Sequence, residues 1–409
     1  MKVARNTSGQ FARRSLSGRG CAPFFVLIAV AMSVVALGRD WIGQWLNLNR
    51  SQRITVSLSA ARAAFDDGDL NAAVDYAQQV LEHEPRNQAA YELLIRSLIF
   101  RSYSEFGREA DRERALSFSA DAVSKFPRHT DIQAVRAYAL QASGLAEEAR
   151  RVALRVIERS PDHVLARTAL SLAYGSEGVF EAALREAELA VSLADRYGNS
   201  QLESYRALGI AQGDLGNYRQ AMVELDRAIN VNENLIPLHF EAALFALQVS
   251  DIDRATVSYY RIMALDEGNI KVRARLCELS NRLQERKSAL RYCLEVTELA
   301  PDLAEGWHNL GREYFLSGDF SAAQDAFEQC ARLQLEQDVS GNDLQLACWY
   351  LQGQSAEILG DCDSLTTIYR EFLDLVKRRN LPQTWSYPPG GPPICAANAS
   401  MATPQRPAP

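Results

Sequence analysis

The chain has 409 residues, 47% of them hydrophobic and 23% charged, which is the composition of an ordinary folded protein with a large core. Alanine and leucine dominate, which favours an all-α fold over one rich in sheet. The formal net charge is −7; residues 1–20 hold five basic side chains and no acidic one, so the rest carries 39 basic against 51 acidic residues. Because nucleic-acid binding depends on clustered positive charge, we expect no nucleic-acid partner.

An uncharged stretch of 18 residues, from Cys21 to Gly38, follows the basic N-terminus. As a helix it measures about 27 Å, which is enough to span a bilayer. Trp41 and Trp45 come next, where aromatic side chains lie at the headgroup level. Since the basic excess precedes the stretch, the sequence predicts a cytoplasmic segment over 1–20, a transmembrane signal anchor over 21–38, a juxtamembrane linker over 39–53, and an extracytoplasmic location for the rest.

A cleaved signal peptide is the alternative for this stretch, because Ala36-Leu37-Gly38 is an acceptable small-residue cleavage site. Cleavage would release a secreted or periplasmic protein, whereas retention would leave the chain anchored in the membrane.

Residues recur at an interval of 34 through most of the remaining chain. The recurring positions are Ala149 with Ala183, Pro127 with Pro161, and the series Ala221, Ala255, Ala289 and Ala323. Such an interval is typical of arrays of helical hairpins, in which each unit buries its apolar face only against its neighbours.

The unit over 304–337 is the most regular one. It resembles the tetratricopeptide signature, W-x2-L-G-x2-Y followed by A-x3-F, at Trp307, Leu310, Gly311, Tyr314, Ala323 and Phe327. The resemblance implies an all-α, right-handed superhelical solenoid whose partners are other proteins or peptides. Extending the frame predicts nine hairpins within a solenoid over 54–379, namely 54–87, 88–129, 130–163, 164–197, 202–235, 236–269, 270–303, 304–337 and 346–379.

Small and special residues fit this frame for physical reasons. Gly311 and Ala323 are predicted to lie where the two helices of a hairpin come closest, since larger side chains would force the helices apart. Proline cannot continue a helix, so Pro85, Pro127, Pro161 and Pro301 are predicted to follow the ends of second helices.

Residues 380–409 lie beyond the repeat and contain eight of the 14 prolines. Such a segment cannot form a helix and has little to bury, so the sequence predicts a disordered Pro-rich tail. There are two alternatives. A partner could recognise the tail as a Pro-rich peptide, or Trp385 and Tyr387 could dock onto the last hairpin.

No motif for a catalytic nucleophile, a metalloprotease, a phosphate loop or a dinucleotide loop occurs in the sequence, so we predict neither an enzyme, nor a cofactor, nor a metal site. Cys277 and Cys293 are predicted to lie on the two helices of one hairpin, where buried thiols are favoured over a disulfide. Cys362 and Cys395 form a candidate disulfide if the compartment is oxidising.

In tetratricopeptide arrays the first helices of successive hairpins line a concave groove. The resemblance therefore implies a groove lined by Tyr138, Leu172, Arg206, Ile210, Phe240, Leu244, Leu247, Glu278, Arg282, His308, Arg312 and Phe315. Phe240, Leu244 and Leu247 form an apolar step without a packing role, flanked by basic side chains. A ligand with a hydrophobic anchor and acidic ends would fit this lining. A solvated inner face with a few hairpin contacts is the alternative.

One subgroup of the family grips a C-terminal carboxylate with lysine and asparagine on its first helices. This sequence departs from that pattern, because Arg206, Ile210, Phe240 and Leu244 stand at the corresponding positions. The resemblance therefore predicts a membrane-anchored interaction scaffold or assembly factor whose partner contact lies at the centre of the groove, not in the tail. A secreted or periplasmic binding module is the alternative function.

Overall fold

The computed structural model describes residues 57–341, 343–388 and 392–395. The predicted anchor over 21–38 lies outside these residues, and so do 1–20 and 39–53. The chain divides into two compact units after Ser59, and the second unit, which begins at Ala60, holds the helical hairpins. No helix within the described residues is long and apolar enough to cross a membrane.

Regular structure in the described part of this unit is helical throughout, which confirms the predicted all-α fold for these residues. The helices pair into hairpins, so that odd-numbered helices are first helices and even-numbered ones are second helices. Their bounds are α1 57–66, α2 Leu70–His83, α3 Gln88–Ser104, α4 Ala110–Lys125, α5 Thr130–Ala142, α6 Ala146–Arg159, α7 Val164–Ser176, α8 Phe180–Tyr197, α9 Gln201–Asp214, α10 Tyr218–Val231, α11 Ile236–Gln248, α12 Ile252–Leu265, α13 Ile270–Arg282, α14 Arg286–Leu299, α15 Ala304–Ser317, α16 Phe320–Glu336, α17 Ala347–Leu359 and α18 Cys362–Arg379. Residues 393–395, beyond the hairpins, are also helical.

Short turns between the two helices of a hairpin use left-handed backbone. Gly318 has φ 83° and is followed by Asp319, whose Oδ1 accepts the Ala322 N–H at 3.1 Å and so caps α16. In the hairpins α11–α12 and α13–α14, Ser250 and Gln284 adopt this conformation without being glycine, with φ 59° and 60°. The first helix therefore ends in a left-handed turn in these two hairpins as well, although neither turn has a glycine at that position.

First helices lie on the inside of the curvature. Neighbouring first helices such as α5 and α7, or α7 and α9, pack directly against each other, whereas second helices of neighbouring hairpins make at most marginal contact. The exception among the first helices is α11, which packs less closely on α9 and α13 than other neighbours do. This wider spacing leaves room for a cavity between α11 and α13.

The array turns far enough for its beginning to meet its middle, because α3 contacts α11, four hairpins further along. Asn232, just after α10, donates its side-chain N–H to the carbonyl of Phe65 at 2.9 Å. Asn269, just before α13, donates to the carbonyl of Ser104 at 3.0 Å. We call these contacts, together with those that Glu105 makes to α13, the interlock.

Glu105 makes the most directed contact of the interlock. Its carboxylate accepts the backbone N–H groups of Ile270 and Lys271 at 2.6 and 2.9 Å. These groups open α13 and have no partner within the helix, so a side chain from the α3–α4 connection caps a helix 165 residues further along.

The N-terminal part of the predicted groove is not open, because α3 packs against this part of the array. Tyr138, Leu172 and Arg206 are buried instead of lining an open surface. The guanidinium of Arg206 lies 5.9 and 5.3 Å from the ring centroids of Phe100 and Tyr103 on α3. The prediction of an open groove at these positions is wrong, since the 34-residue frame does not show how far the array closes on itself.

The segment after α18 is ordered where the structure describes it. Trp385 is only 5% exposed and its ring packs at 4.9 to 5.8 Å from the rings of Tyr350, Tyr369, Phe372 and Tyr387. The Tyr387 hydroxyl donates to Glu357 at 2.7 Å. The prediction of a disordered tail over 380–409 is therefore wrong for 380–388, where aromatic side chains dock on α17 and α18. It is also wrong for 392–395, since 393–395 are helical although the sequence predicted that no helix could form there.

Three disulfides join cysteines among the described residues: Cys277–Cys293, Cys330–Cys348 and Cys362–Cys395. The prediction of buried thiols at Cys277 and Cys293 is wrong, because their Cα atoms are 5.3 Å apart across the α13–α14 hairpin, within disulfide reach. The Cys362–Cys395 pair ties the docked segment to the start of α18, as the alternative interpretation anticipated.

Candidate protein-binding site

The gap between α11 and α13 forms a cavity of about 380 Å³ on the concave side of the array. Its lining brings together five of the predicted groove residues with five others. The lining residues are Phe240, Glu241, Leu244, Leu247, Tyr259, Lys271, Arg275, Glu278, Leu279 and Arg282. A cavity of this size, part apolar and part charged, matches the general character of binding clefts.

The apolar wall of the cavity has one exposed member and two supported ones. Phe240 and Leu247 are half-buried and pack on the core, with the Phe240 ring centroid 6.4 Å from that of Tyr259. Leu244 is 51% exposed and belongs to no packed cluster among the described residues. The idea that these side chains lack a packing role is therefore wrong for Phe240 and Leu247 and holds for Leu244.

Both carboxylates in the lining are already neutralised by arginines. Glu241 on α11 accepts three hydrogen bonds from Arg206 on α9 at 2.5 to 3.0 Å. This ion pair joins the two helices. Glu278 accepts two bonds from Arg275, both at 2.9 Å. Each of these cations is thus committed to a carboxylate of the protein itself.

Two cations in the lining, Lys271 and Arg282, form no ion pair among the described residues. The ammonium of Lys271 donates to the carbonyl of Tyr103 at 2.7 Å and lies 4.5 Å from the Phe240 ring centroid. Burial lowers the pKa of Lys271, with Arg275 lowering it further, while Glu105, Glu241 and Glu109 act in the opposite direction. Arg282 ends α13, is exposed, and forms no ion pair within the described part of the chain.

The remaining predicted groove residues lie away from the cavity. Ile210 is half-buried against the N-terminal core. His308 and Phe315 on α15 pack against Phe327 and Phe320, with ring centroids 6.1 and 5.3 Å apart. The buried Nε of Arg312 has no hydrogen-bond partner within the part of the chain that the structure describes. The structure therefore separates the α15 residues from the α11–α13 cavity instead of joining them in one continuous site.

Sequence reasoning missed Lys271 and Arg275. Both lie on the helix face that also carries Glu278 and Arg282, since positions 271, 275, 278 and 282 follow the i, i+4, i+7, i+11 pattern. Extending the predicted face back to the first turn of α13 would have included them. No group of histidine, cysteine or acidic residues able to hold a metal ion occurs in the described residues.

Comparisons with known proteins agree with this architecture. Residues 304–337 match the family model of the tetratricopeptide repeat. The TPR repeat-containing thioredoxin TTL4 of Arabidopsis thaliana is 24% identical over 303 residues, covering 66% of this chain but 44% of that protein. The chain thus spans less than half the length of this relative.

One solved structure shows the same fold at low identity, and a second has a lower TM-score. The APC/C hetero-tetramer Cut9–Hcn1 includes a chain with a TM-score of 0.54 and 15% identity, over 80% of this chain and 60% of that one. The C-terminal part of a TPR repeat-containing protein from Cytophaga hutchinsonii has 14% identity and a TM-score of 0.49, over 58% and 93% of the two chains. The chain therefore carries a tetratricopeptide repeat at 304–337, within an array of hairpins that has the fold of tetratricopeptide-repeat proteins.

Proposed function

We propose that this protein holds a segment of another protein in the cavity between α11 and α13, as an interaction scaffold. The observation that carries the proposal is Leu244, a large apolar side chain that is half-exposed beside the supported wall of Phe240 and Leu247. Apolar anchors in such clefts supply much of the binding energy of protein interfaces. Tetratricopeptide-repeat proteins generally mediate contacts between proteins, which supports this assignment.

The proposal places the hairpin array outside the cytoplasm, tethered by residues 21–38. Three disulfides support this location, because disulfides persist in oxidising compartments and are rare in the cytosol. The basic residues that precede the apolar stretch support it as well. A reporter that is active only outside the cytoplasm should work when fused after Pro409; activity of a cytoplasm-only reporter at that junction would contradict the location.

Site-specific crosslinking in intact membranes tests the binding site. A photoreactive amino acid at Gln248, an exposed position one helical turn after Leu244, should form a discrete adduct with the partner. Leu244→Ala in the same chain should reduce the adduct about tenfold or more, since truncated anchors lose roughly 2 kcal/mol of binding.

Val257→Ala is the matched control, because Val257 is 68% exposed on α12 and lies outside the cavity. Its adduct yield should equal that of the parent. An adduct that survives Leu244→Ala, or one that Val257→Ala removes equally, would rule out this cavity as the binding site.

A further inference from the structure

We infer that the segment bound in the α11–α13 cavity is acidic, with an apolar side chain between two carboxylates that pair with Lys271 and Arg282. The inference rests on the proposed function and specifies the partner. It comes from two cations of the cavity lining that form no ion pair within the described part of the chain.

The charge count of the lining is the first step. The cavity holds three cations and two anions, and both anions are already bound by arginines. Glu241 is held by Arg206 from outside the lining, and Glu278 is held by Arg275 from within it. Lys271 and Arg282 therefore remain as a local positive excess, in a chain where acidic residues outnumber basic ones by 51 to 44.

The surroundings of Lys271 make this excess significant. Its ammonium has three donors, and the only acceptor that the described residues give it is the Tyr103 carbonyl. Burial makes the charged form of this ammonium costly, and Glu105, Glu241 and Glu109 offset part of that cost without forming an ion pair with it among the described residues. A carboxylate from a partner would supply the missing charge-assisted hydrogen bond and lower that cost.

The positions of the two cations set the spacing of the partner's acids. Lys271 and Arg282 lie 11 residues apart on α13, which corresponds to about 16 Å along the helix. An extended segment covers that distance in about five residues. In the 34-residue frame, Phe240 and Leu244 align with Ala274 and Glu278, between the two cations. The apolar anchor should therefore lie between the two acids.

A selection from a random library of displayed 12-residue peptides on the full-length protein in detergent tests this inference. Enriched peptides should carry an apolar residue flanked by Asp or Glu about five positions apart, and should lose binding to Leu244→Ala. Their affinity should fall about tenfold or more for the Lys271→Met, Arg282→Gln double variant, which removes two charge-assisted contacts.

The control double variant is Lys287→Met, Arg219→Gln, which removes one lysine and one arginine at exposed positions outside the cavity. It should bind like the parent. Because Lys271 also bonds to Tyr103, Arg282→Gln alone is the second variant, and it should still weaken binding.

The outcomes separate the two proposals. Peptides that need Leu244 but carry no acids, or that bind the cavity double variant as tightly as the parent, would overturn the acidic partner and leave the proposed binding site standing. Enriched peptides that bind Leu244→Ala unchanged would overturn both.

Discussion

Small side chains decide how closely the two helices of each hairpin approach. Ala221, Ala255, Ala289 and Ala323, spaced by 34 residues, are all fully buried. At Gly311 an added Cβ would lie 2.8 Å from the Phe327 ring, which is too close without movement of one helix. The contact at Gly311 leaves no space for even one methyl group, and in a close-packed interior larger side chains at the buried alanines would strain the packing.

Ala255→Arg should therefore destabilise the array by several kcal/mol, through overpacking and an unpaired buried charge. Ala255 is 0% exposed and shares a cluster with Ala246 and Tyr259. The midpoint of urea unfolding measures the effect. Val257→Arg, two residues away on the exposed side of α12, is the matched control and should unfold close to the parent's midpoint; equal midpoints for all three proteins would show that Ala255 is not packed between the two helices.

Charge partnerships at the residue scale were harder to predict from the sequence than apolar packing. The 34-residue frame predicted that Leu244 and Arg282 share a concave face, and both line the cavity. It did not predict that Arg206 is committed to Glu241 and buried under α3. Ion pairs between elements far apart in sequence depend on the turn-by-turn geometry of the array, which no local pattern encodes.

Hairpins are the elements that the sequence predicted best. From 88–129 onwards, each predicted interval contains one first and one second helix, apart from one-residue differences at an end such as Gln201. Proline after the second helix and glycine or aspartate in the turn are local signals, and the apolar face repeats with each unit. These signals depend on a few neighbouring residues, so helix ends can be predicted from a single sequence.

The segment after α18 shows where local reasoning stops. Its prolines predict no helix, yet 393–395 are helical. Trp385 is buried because Gly353 on α17 leaves room for its ring; a Cβ at Gly353 would lie 2.2 Å from the Trp385 Cη2. The Cys330–Cys348 disulfide was missed for the same reason, since it spans an irregular connection between α16 and α17. Both features depend on which distant surface offers a complementary space.

At the scale of the whole molecule, the interlock fixes the curvature of the array. Hairpin arrays are held together mainly by contacts between neighbours, which allow the overall curvature to vary. Here Asn232, Asn269 and Glu105 add bonds between hairpins that are far apart in sequence. The backbone N–H of Lys271 donates to Glu105, and the side chain of Lys271 lines the α11–α13 cavity. The interlock therefore holds one wall of the proposed binding site in place.

Glu105 gives the interlock a dependence on pH. Burial raises the pKa of Glu105 above its ordinary value, although the N–H groups of Phe106, Ile270 and Lys271 act in the opposite direction. A carboxyl whose pKa is raised by folding stabilises the folded state most when it is protonated. Its contribution is fully present below the ordinary glutamate pKa and is lost as pH rises through the raised value of the folded protein.

Glu105→Gln removes this titration and keeps one acceptor oxygen for the α13 N-terminus. The free energy of unfolding of the parent, minus that of the variant, should therefore decrease as pH rises from about 4 to about 7. Urea unfolding at a series of pH values measures this difference. Glu267→Gln, at an exposed position in the α12–α13 turn, is the matched control and should show a smaller change over the same range. A difference for Glu105→Gln that grows with pH would mean that the hydrogen bonds from Ile270 and Lys271 outweigh burial, and that the interlock is strongest with Glu105 ionised.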